Sequence, residues 1–123
     1  MSIRVLLVDD QDLYREGLHT LLSVQPDLEV IGEASNGEEA LRFAAMLHPD
    51  VVLMDLRMPV MDGVTATRCL RRDQPDCRVI MLSTFDDEES RARGLEAGAV
   101  AYLLKDTPLD DLVKAIRCAA APA

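Results

Sequence analysis

Asp9 and Asp10 close an apolar run that begins at Ile3, and Asp55 closes one that begins at Val51. Ser83 and Thr84 close a run from Val79, and Lys105 one from Val100. Three carboxylates brought to one place repel one another, and in a chain of formal net charge −9 they need a cation or a proton to compensate. A hard divalent ion is the natural partner. Magnesium suits one or two direct carboxylates, a backbone carbonyl and several retained waters, a set that leaves room for phosphate oxygens. A lysine ammonium and a hydroxyl, from Ser83 or Thr84, would complete a clamp for a transferring phosphoryl group, whose charge spreads over three oxygens. Asp55, at the end of the expected central strand, is then the candidate nucleophile, since aspartate forms covalent phosphoryl intermediates. Singly, each signal has a plainer explanation. Asp9 or Asp10 could cap a helix starting near Gln11, Lys105 could be a solvated surface charge, and Ser83 or Thr84 a turn residue. The plainer explanations do not account for every member standing at the end of its own apolar run.

The elements that would place these groups follow from periodicity. Apolar, β-branched runs at residues 3–8, 28–31, 51–54, 79–82 and 100–104 predict five strands. Between them lie segments of helical spacing, such as Leu18, Leu21 and Leu22, then Ala40, Leu41, Ala44 and Leu47, and finally Leu109, Leu112, Val113 and Ile116. Near-continuous apolar strands separated by helix-length segments predict a parallel sheet covered on both faces, because crossover helices return the chain to the same edge. The expected fold is α/β, a doubly wound five-stranded parallel sheet built from five βα units. Punctuation agrees: Asn36-Gly37 and Asp62-Gly63 precede helices, Thr107-Pro108 opens the last, and Gly98 fits a helix C-terminus. In such sheets ligands bind at the carboxyl ends of the strands, where the reactive residues lie.

At 123 residues, 49% hydrophobic and 28% charged, the chain has the size and composition of one globular domain. Residues 1–119 are expected to form it, with 120–123 the start of a linker or tail. The acidic charge opposes direct nucleic-acid binding by this segment. No apolar run approaches the roughly 20 residues that span a bilayer. Met1-Ser2-Ile3-Arg4 leads straight into the first strand without the parts of a secretory signal, which points to the cytoplasm. Cys69, Cys77 and Cys118 form no ligand or disulfide pattern and are expected as reduced thiols; His19 and His48 are far apart and have no evident partner. Met54, Met58 and Met61 read as gap-filling side chains. No dinucleotide fingerprint, Walker loop or nucleophile elbow is present, which speaks against a nucleotide-binding or hydrolytic enzyme.

These residues resemble the receiver domain of bacterial two-component response regulators over essentially the whole chain. Val5-Leu6-Leu7-Val8-Asp9-Asp10 matches the family's acidic pair. The segment Val52-Leu53-Met54-Asp55-Leu56-Arg57-Met58-Pro59-Val60-Met61-Asp62-Gly63 matches its phosphoacceptor motif, and Ala97-Gly98-Ala99 with Tyr102-Leu103-Leu104-Lys105 its fifth strand. The resemblance implies the flavodoxin-like, CheY-like arrangement. It makes Asp55 the phosphoacceptor and Asp10 a direct Mg²⁺ ligand, with Asp9 acting largely through water and the main-chain carbonyl of Arg57 as a further ligand. Lys105 would contact the phosphoryl oxygens, Ser83 rather than Thr84 would be the switch hydroxyl, and Tyr102 the aromatic that moves inward with it. Many receivers place proline directly after this lysine, whereas Asp106 stands here and the proline is Pro108. Lys105-Asp106, Arg15-Glu16-Gly17-Leu18 and Ser83-Thr84-Phe85-Asp86-Asp87 resemble receivers of the NarL/FixJ subfamily, joined to LuxR-type helix-turn-helix domains. That implies a sensor histidine kinase as donor, dimerisation on phosphorylation, and transcriptional output through a DNA-binding domain absent from this chain. The phosphoacceptor would be a regulatory domain rather than an enzyme. A stand-alone regulator and a pseudo-receiver acting as an interaction or dimerisation module are the alternatives. Arg57 and Phe85, two positions beyond the acceptor and the switch hydroxyl, border the path of an attacking water and supply neither acid nor amide, so slow self-dephosphorylation is expected.

Overall fold

In the computed structural model, which describes residues 2–121, strands and helices alternate strictly. The order is β1 (Ile3–Val8), α1 (Asp12–Ser23), β2 (Leu28–Ala34), α2 (Gly37–Leu47), β3 (Val51–Met54), α3 (Gly63–Asp73), β4 (Arg78–Ser83), α4 (Glu88–Ala97), β5 (Ala101–Leu104) and α5 (Leu109–Ala120). The five strands form one parallel sheet in the order β2-β1-β3-β4-β5. All four residues of β3 are buried, as a strand covered on both faces requires. One face packs Leu18 and Leu22 of α1 and Leu112, Val113 and Ile116 of α5. The other packs Ala40 and Ala44 of α2, Val64, Ala66 and Leu70 of α3, and Ala97 of α4. The chain leaves β1 toward β2 on one side and resumes at β3 on the other. The winding therefore reverses between the carboxyl ends of β1 and β3, where a crevice opens.

The helix starts have local causes. Asn36 accepts a hydrogen bond from the Glu39 N–H at 2.9 Å, Asp62 from Thr65 at 2.8 Å and Asp87 from Ser90 at 3.0 Å, each satisfying a donor that the first turn leaves free. Gly98 ends α4 with φ of 119°, a left-handed conformation that suits glycine. Met54 is fully buried, and Met58 and Met61 pack against the same core as gap fillers do. Cys69, Cys77 and Cys118 are free thiols, and burial pushes the Cys77 thiol up to about 11.

Some expected element bounds shift, and one alternative left open by the sequence is decided. β2 runs on to Ala34 instead of stopping at residue 31, because its register against β1 shifts between Val5 and Leu6 and the strand continues past Gly32. β5 starts at Ala101, one residue later than the apolar run. Helix α5 reaches Ala120, one residue beyond the expected domain edge; residues 122–123 of the expected tail lie outside the described residues. The N-cap of α1 is Gln11, without a side-chain cap bond, so neither Asp9 nor Asp10 caps that helix. Asp9 does accept from the Gln11 N–H at 2.8 Å, in a local turn. Every peptide bond among the described residues is trans, Lys105–Asp106 included.

Candidate functional site

The crevice gathers Asp9, Asp10 and Asp55, whose carboxylate oxygens lie within 4.8 Å of one another. Each arrives by strand register. Val8 and Met54 are paired, so the residues after them leave the sheet side by side, and the Asp55 N–H donates to the Val8 carbonyl at 2.9 Å. Asp9 and Asp55 are buried, while Asp10 is exposed. Lys105 enters from β5, two strands away, with its Nζ 2.7 Å from Asp9 Oδ2 and 3.5 Å from Asp55 Oδ2. The same ammonium donates to Gln11 Oε1 at 2.9 Å and stands 4.7 Å from the centre of the Tyr14 ring.

One ammonium does not compensate three carboxylates. Burial and the neighbouring Asp9 push Asp55 up to about 7, against the pull of Lys105. Tyr14 is pushed up to about 12 by burial, then by Asp9 and Asp55. The cluster is thus short of positive charge and rich in hard oxygen donors, with one carboxylate open to solvent. That donor set fits Mg²⁺.

The loop after Asp55 is tightly constrained. A Cβ on Gly63 would stand 2.0 Å from the Asp55 carbonyl oxygen, so only glycine can open α3 here. The Gly63 N–H donates to Leu56 and the Gly37 N–H to Met61, at 2.9 and 2.8 Å. Between them Val60 takes φ of 69°, and the Met61 N–H bonds the Pro59 carbonyl at 2.7 Å, a tight and strained turn for a β-branched residue. Arg57, exposed in this loop, lays its guanidinium 4.1 Å from the centre of the Phe85 ring.

Ser83 and Tyr102 form a neighbouring network instead of joining the carboxylates. Ser83 is fully buried, whereas Thr84 is exposed, so Ser83 is the interior hydroxyl. Its Oγ accepts from the Phe85 N–H at 3.0 Å, and the Tyr102 hydroxyl donates to the Phe85 carbonyl at 2.7 Å. The Tyr102 ring, expected to move inward with the switch hydroxyl, already points inward here, 5% exposed, into space that α4 leaves at Gly94, where a Cβ would sit 3.1 Å from the ring. Arg91 covers it at 5.0 Å and donates to the Tyr102 carbonyl at 3.3 Å. The Lys105 N–H donates to the Ser83 carbonyl at 2.8 Å, which ties this network to the crevice.

Sequence reasoning missed a further layer. His19 does have a partner, since its Nδ1 lies 2.7 Å from Glu33 Oε2. Arg15 binds the other oxygen of Glu33 at 2.6 Å and donates to the Asp9 carbonyl at 2.5 Å. Ending β2 early hid Glu33 from view. The i, i+4 spacing of Arg15 and His19 on one helix face was the available signal.

The family model described as "Response regulator receiver domain" matches residues 5–117. Among curated proteins, the chain is 48% identical over 114 residues to the transcriptional regulatory protein LnrK of Bacillus subtilis, covering 93% of this chain and 52% of that protein. It is 49% identical over 117 residues to the transcriptional regulatory protein LiaR of the same organism, covering 95% and 56%. The chain therefore spans about half the length of the curated relatives it matches. Among solved structures, the signal receiver domain of the response regulator NarL from Mycobacterium tuberculosis superposes with a TM-score of 0.92 at 37% identity, covering 98% of both chains.

Proposed function

Because the chain belongs to the response regulator receiver domain family, we propose that its crevice accepts a phosphoryl group on Asp55 and turns that event into a change at Ser83 and Tyr102. The observation that carries this reading is the convergence of Asp9, Asp10 and Asp55 within 4.8 Å, with Lys105 on two of them. Asp55 Oδ2, facing the ammonium, attacks the phosphorus of a phosphohistidine; the new O–P bond replaces the N–P bond and the imidazole departs. Asp55 Oδ1 is meanwhile held by the Leu56 N–H at 2.9 Å, which orients the nucleophile. Asp10 and Asp55 would hold Mg²⁺ directly with the Arg57 carbonyl, and Asp9 through water; the ion would neutralise charge as the phosphoryl group arrives. Lys105 exchanges part of its contact with Asp9 for the phosphoryl oxygens.

A dianionic group of about −1.5 to −2 charge would draw the Ser83 hydroxyl away from the Phe85 N–H, loosening the Phe85 turn on which the Tyr102 hydroxyl rests. Arg57 and Phe85, stacked on each other, supply neither an acid nor an amide to position an attacking water, which supports a long-lived phosphoryl group. Residues 1–119 would be the phosphoacceptor domain, with a linker or tail starting at residue 120, the last of α5. A sensor histidine kinase is the donor and dimerisation the response. The likeness to transcriptional regulatory proteins about twice as long supports transcription as the output. Among the described residues no helix is long and apolar enough to cross a membrane, which accords with a cytoplasmic setting.

The test is incubation with acetyl phosphate, with and without Mg²⁺, read by intact mass beside Asp55→Asn. One phosphoryl increment that needs both the ion and Asp55 is expected. An increment that survives Asp55→Asn would move the acceptor elsewhere, and none in the wild type, with no beryllofluoride binding, would make the chain a pseudo-receiver.

A further inference from the structure

Arg15 differs from the other paired guanidinium groups in what it holds. Arg72, Arg91 and Arg117 each meet one surface carboxylate through exposed side chains. The Arg15 side chain is only 14% exposed and uses three nitrogens on three separate segments. Nε donates to Glu33 Oε1 of β2 at 2.6 Å, Nη1 to the Asp9 carbonyl in the β1–α1 loop at 2.5 Å, and Nη2 lies 3.0 Å from Asp12 Oδ1 of α1. Glu33 is itself fixed on its other oxygen by His19. Burial pushes Glu33 up, but its hydrogen bonds with His19 and Arg15 outweigh this and hold it below the usual range. The anchor is therefore ionised, and the guanidinium plane is set from both sides.

The contact with the Asp9 carbonyl reaches Asp10 through the peptide bond that joins the two residues. Peptide planarity makes the orientation of that carbonyl set the direction of the Asp10 N–Cα bond. Asp9 has restraints of its own, from Lys105 and the Gln11 N–H on its carboxylate and from its N–H donating to Ala34 at 3.0 Å. Asp10 is exposed and makes no side-chain hydrogen bond or ion pair among the described residues, so its carboxylate is placed by its backbone alone.

We propose that Arg15, locked by Glu33, is the positioning residue of the cation site, fixing the Asp9–Asp10 peptide so that the exposed Asp10 carboxylate faces Asp55. The inference rests on the reading of this crevice as a Mg²⁺ site. It sets positioning against electrostatics with opposite signs. Removing a nearby positive charge tightens cation binding through space, whereas losing the hold on the peptide spreads Asp10 over more conformations and weakens it. Loss of a hydrogen-bonding partner behind a metal ligand typically costs roughly 10–100-fold in affinity. Lysine keeps the charge but lacks the planar fork that reaches Glu33 and the carbonyl together.

The experiment is calorimetric titration of the full chain with MgCl₂ alone, for wild type, Arg15→Ala, Arg15→Lys and Glu33→Gln. Circular dichroism confirms the fold, and acetyl phosphate labelling is followed across Mg²⁺ concentration. The expected result is a roughly 10–100-fold weaker Mg²⁺ dissociation constant in both Arg15 variants and a smaller loss in Glu33→Gln. Labelling in the Arg15 variants should return toward the wild-type rate at saturating Mg²⁺. Unchanged or tighter binding in Arg15→Ala, or full rescue by lysine, overturns the inference while leaving the phosphoacceptor reading intact. A wild type that binds no Mg²⁺ overturns both. If Arg15→Ala does not fold, Arg15→Lys and Glu33→Gln decide by the same criterion.

Discussion

The two ends of the parallel sheet treat the same residue type in opposite ways. At the amino end Asp27 receives the Arg117 guanidinium at 2.8 and 3.0 Å, and that hydrogen bond holds its carboxyl below the ordinary range. At the carboxyl end burial and Asp9 push Asp55 up to about 7, although Lys105 is 3.5 Å away. Asp27 is half-buried at the surface with a partner of its own. Asp55 is buried and shares one ammonium with Asp9 and a third carboxylate nearby. The amino end is electrostatically relaxed, whereas the carboxyl end is left unbalanced in a way that a divalent cation or a proton relieves. Strain collects there too, at Val60.

Removing Asp55 should separate the two ends most strongly. Asp55→Asn is expected to abolish labelling by acetyl phosphate altogether, whereas Arg117→Ala at the amino end labels as wild type does.

The same substitution tests the imbalance as stability. Folded Asp55 holds its proton to about pH 7 and the unfolded chain only to about 4. The folded state binds more protons across that window, so stability falls as pH rises through it and levels off above. Asp55→Asn should therefore stabilise the apo protein by about 1–3 kcal/mol at about pH 7.5, with the gain fading below about pH 4. Urea titrations at several pH values would show it, and saturating Mg²⁺ should shrink the gain. An Asn variant no more stable than wild type at that pH would mean that Lys105 alone balances the crevice.

A smaller effect concerns the neighbouring network. Tyr102→Phe leaves the Phe85 carbonyl without its donor, and a loss of about 1 kcal/mol in the urea midpoint analysis is expected. Smaller again, Val60→Gly relieves the left-handed conformation and should stabilise by about 0.5 kcal/mol after the cost of a more flexible unfolded chain. At the far end of the scale, Arg117→Ala should leave the thermal midpoint indistinguishable from wild type, because exposed ion pairs contribute little. A clear drop there would erase the contrast between the two ends.

Much of this was legible from residue patterns. Strand polarity and the βα alternation follow from apolar runs too short and too β-branched for helices. The helix starts at Asn36, Asp62 and Thr107-Pro108 were readable because capping is decided within four residues. The acidic triplet and Lys105 were legible for a related reason, that each ends a strand whose direction was already known, whereas strand ends alone left Ser83 and Thr84 open and only the family resemblance preferred Ser83. The features that escaped notice depended on cross-strand register. The shift between Val5 and Leu6 carries β2 through Gly32 and delivers Glu33 to Arg15 and His19, and no local pattern reports such a shift.

The order of elements and the residue types at strand ends were determined by the sequence alone, since hydrophobic periodicity and capping are local properties of the chain. Tertiary structure decided which carboxylate is deprived of water, that Lys105 divides itself between Asp9 and Asp55, and that Arg15 grips the peptide leading to Asp10. Desolvation and hydrogen-bond geometry depend on groups as distant in the chain as Asp9 and Lys105, and only the packed sheet brings them within a few ångströms.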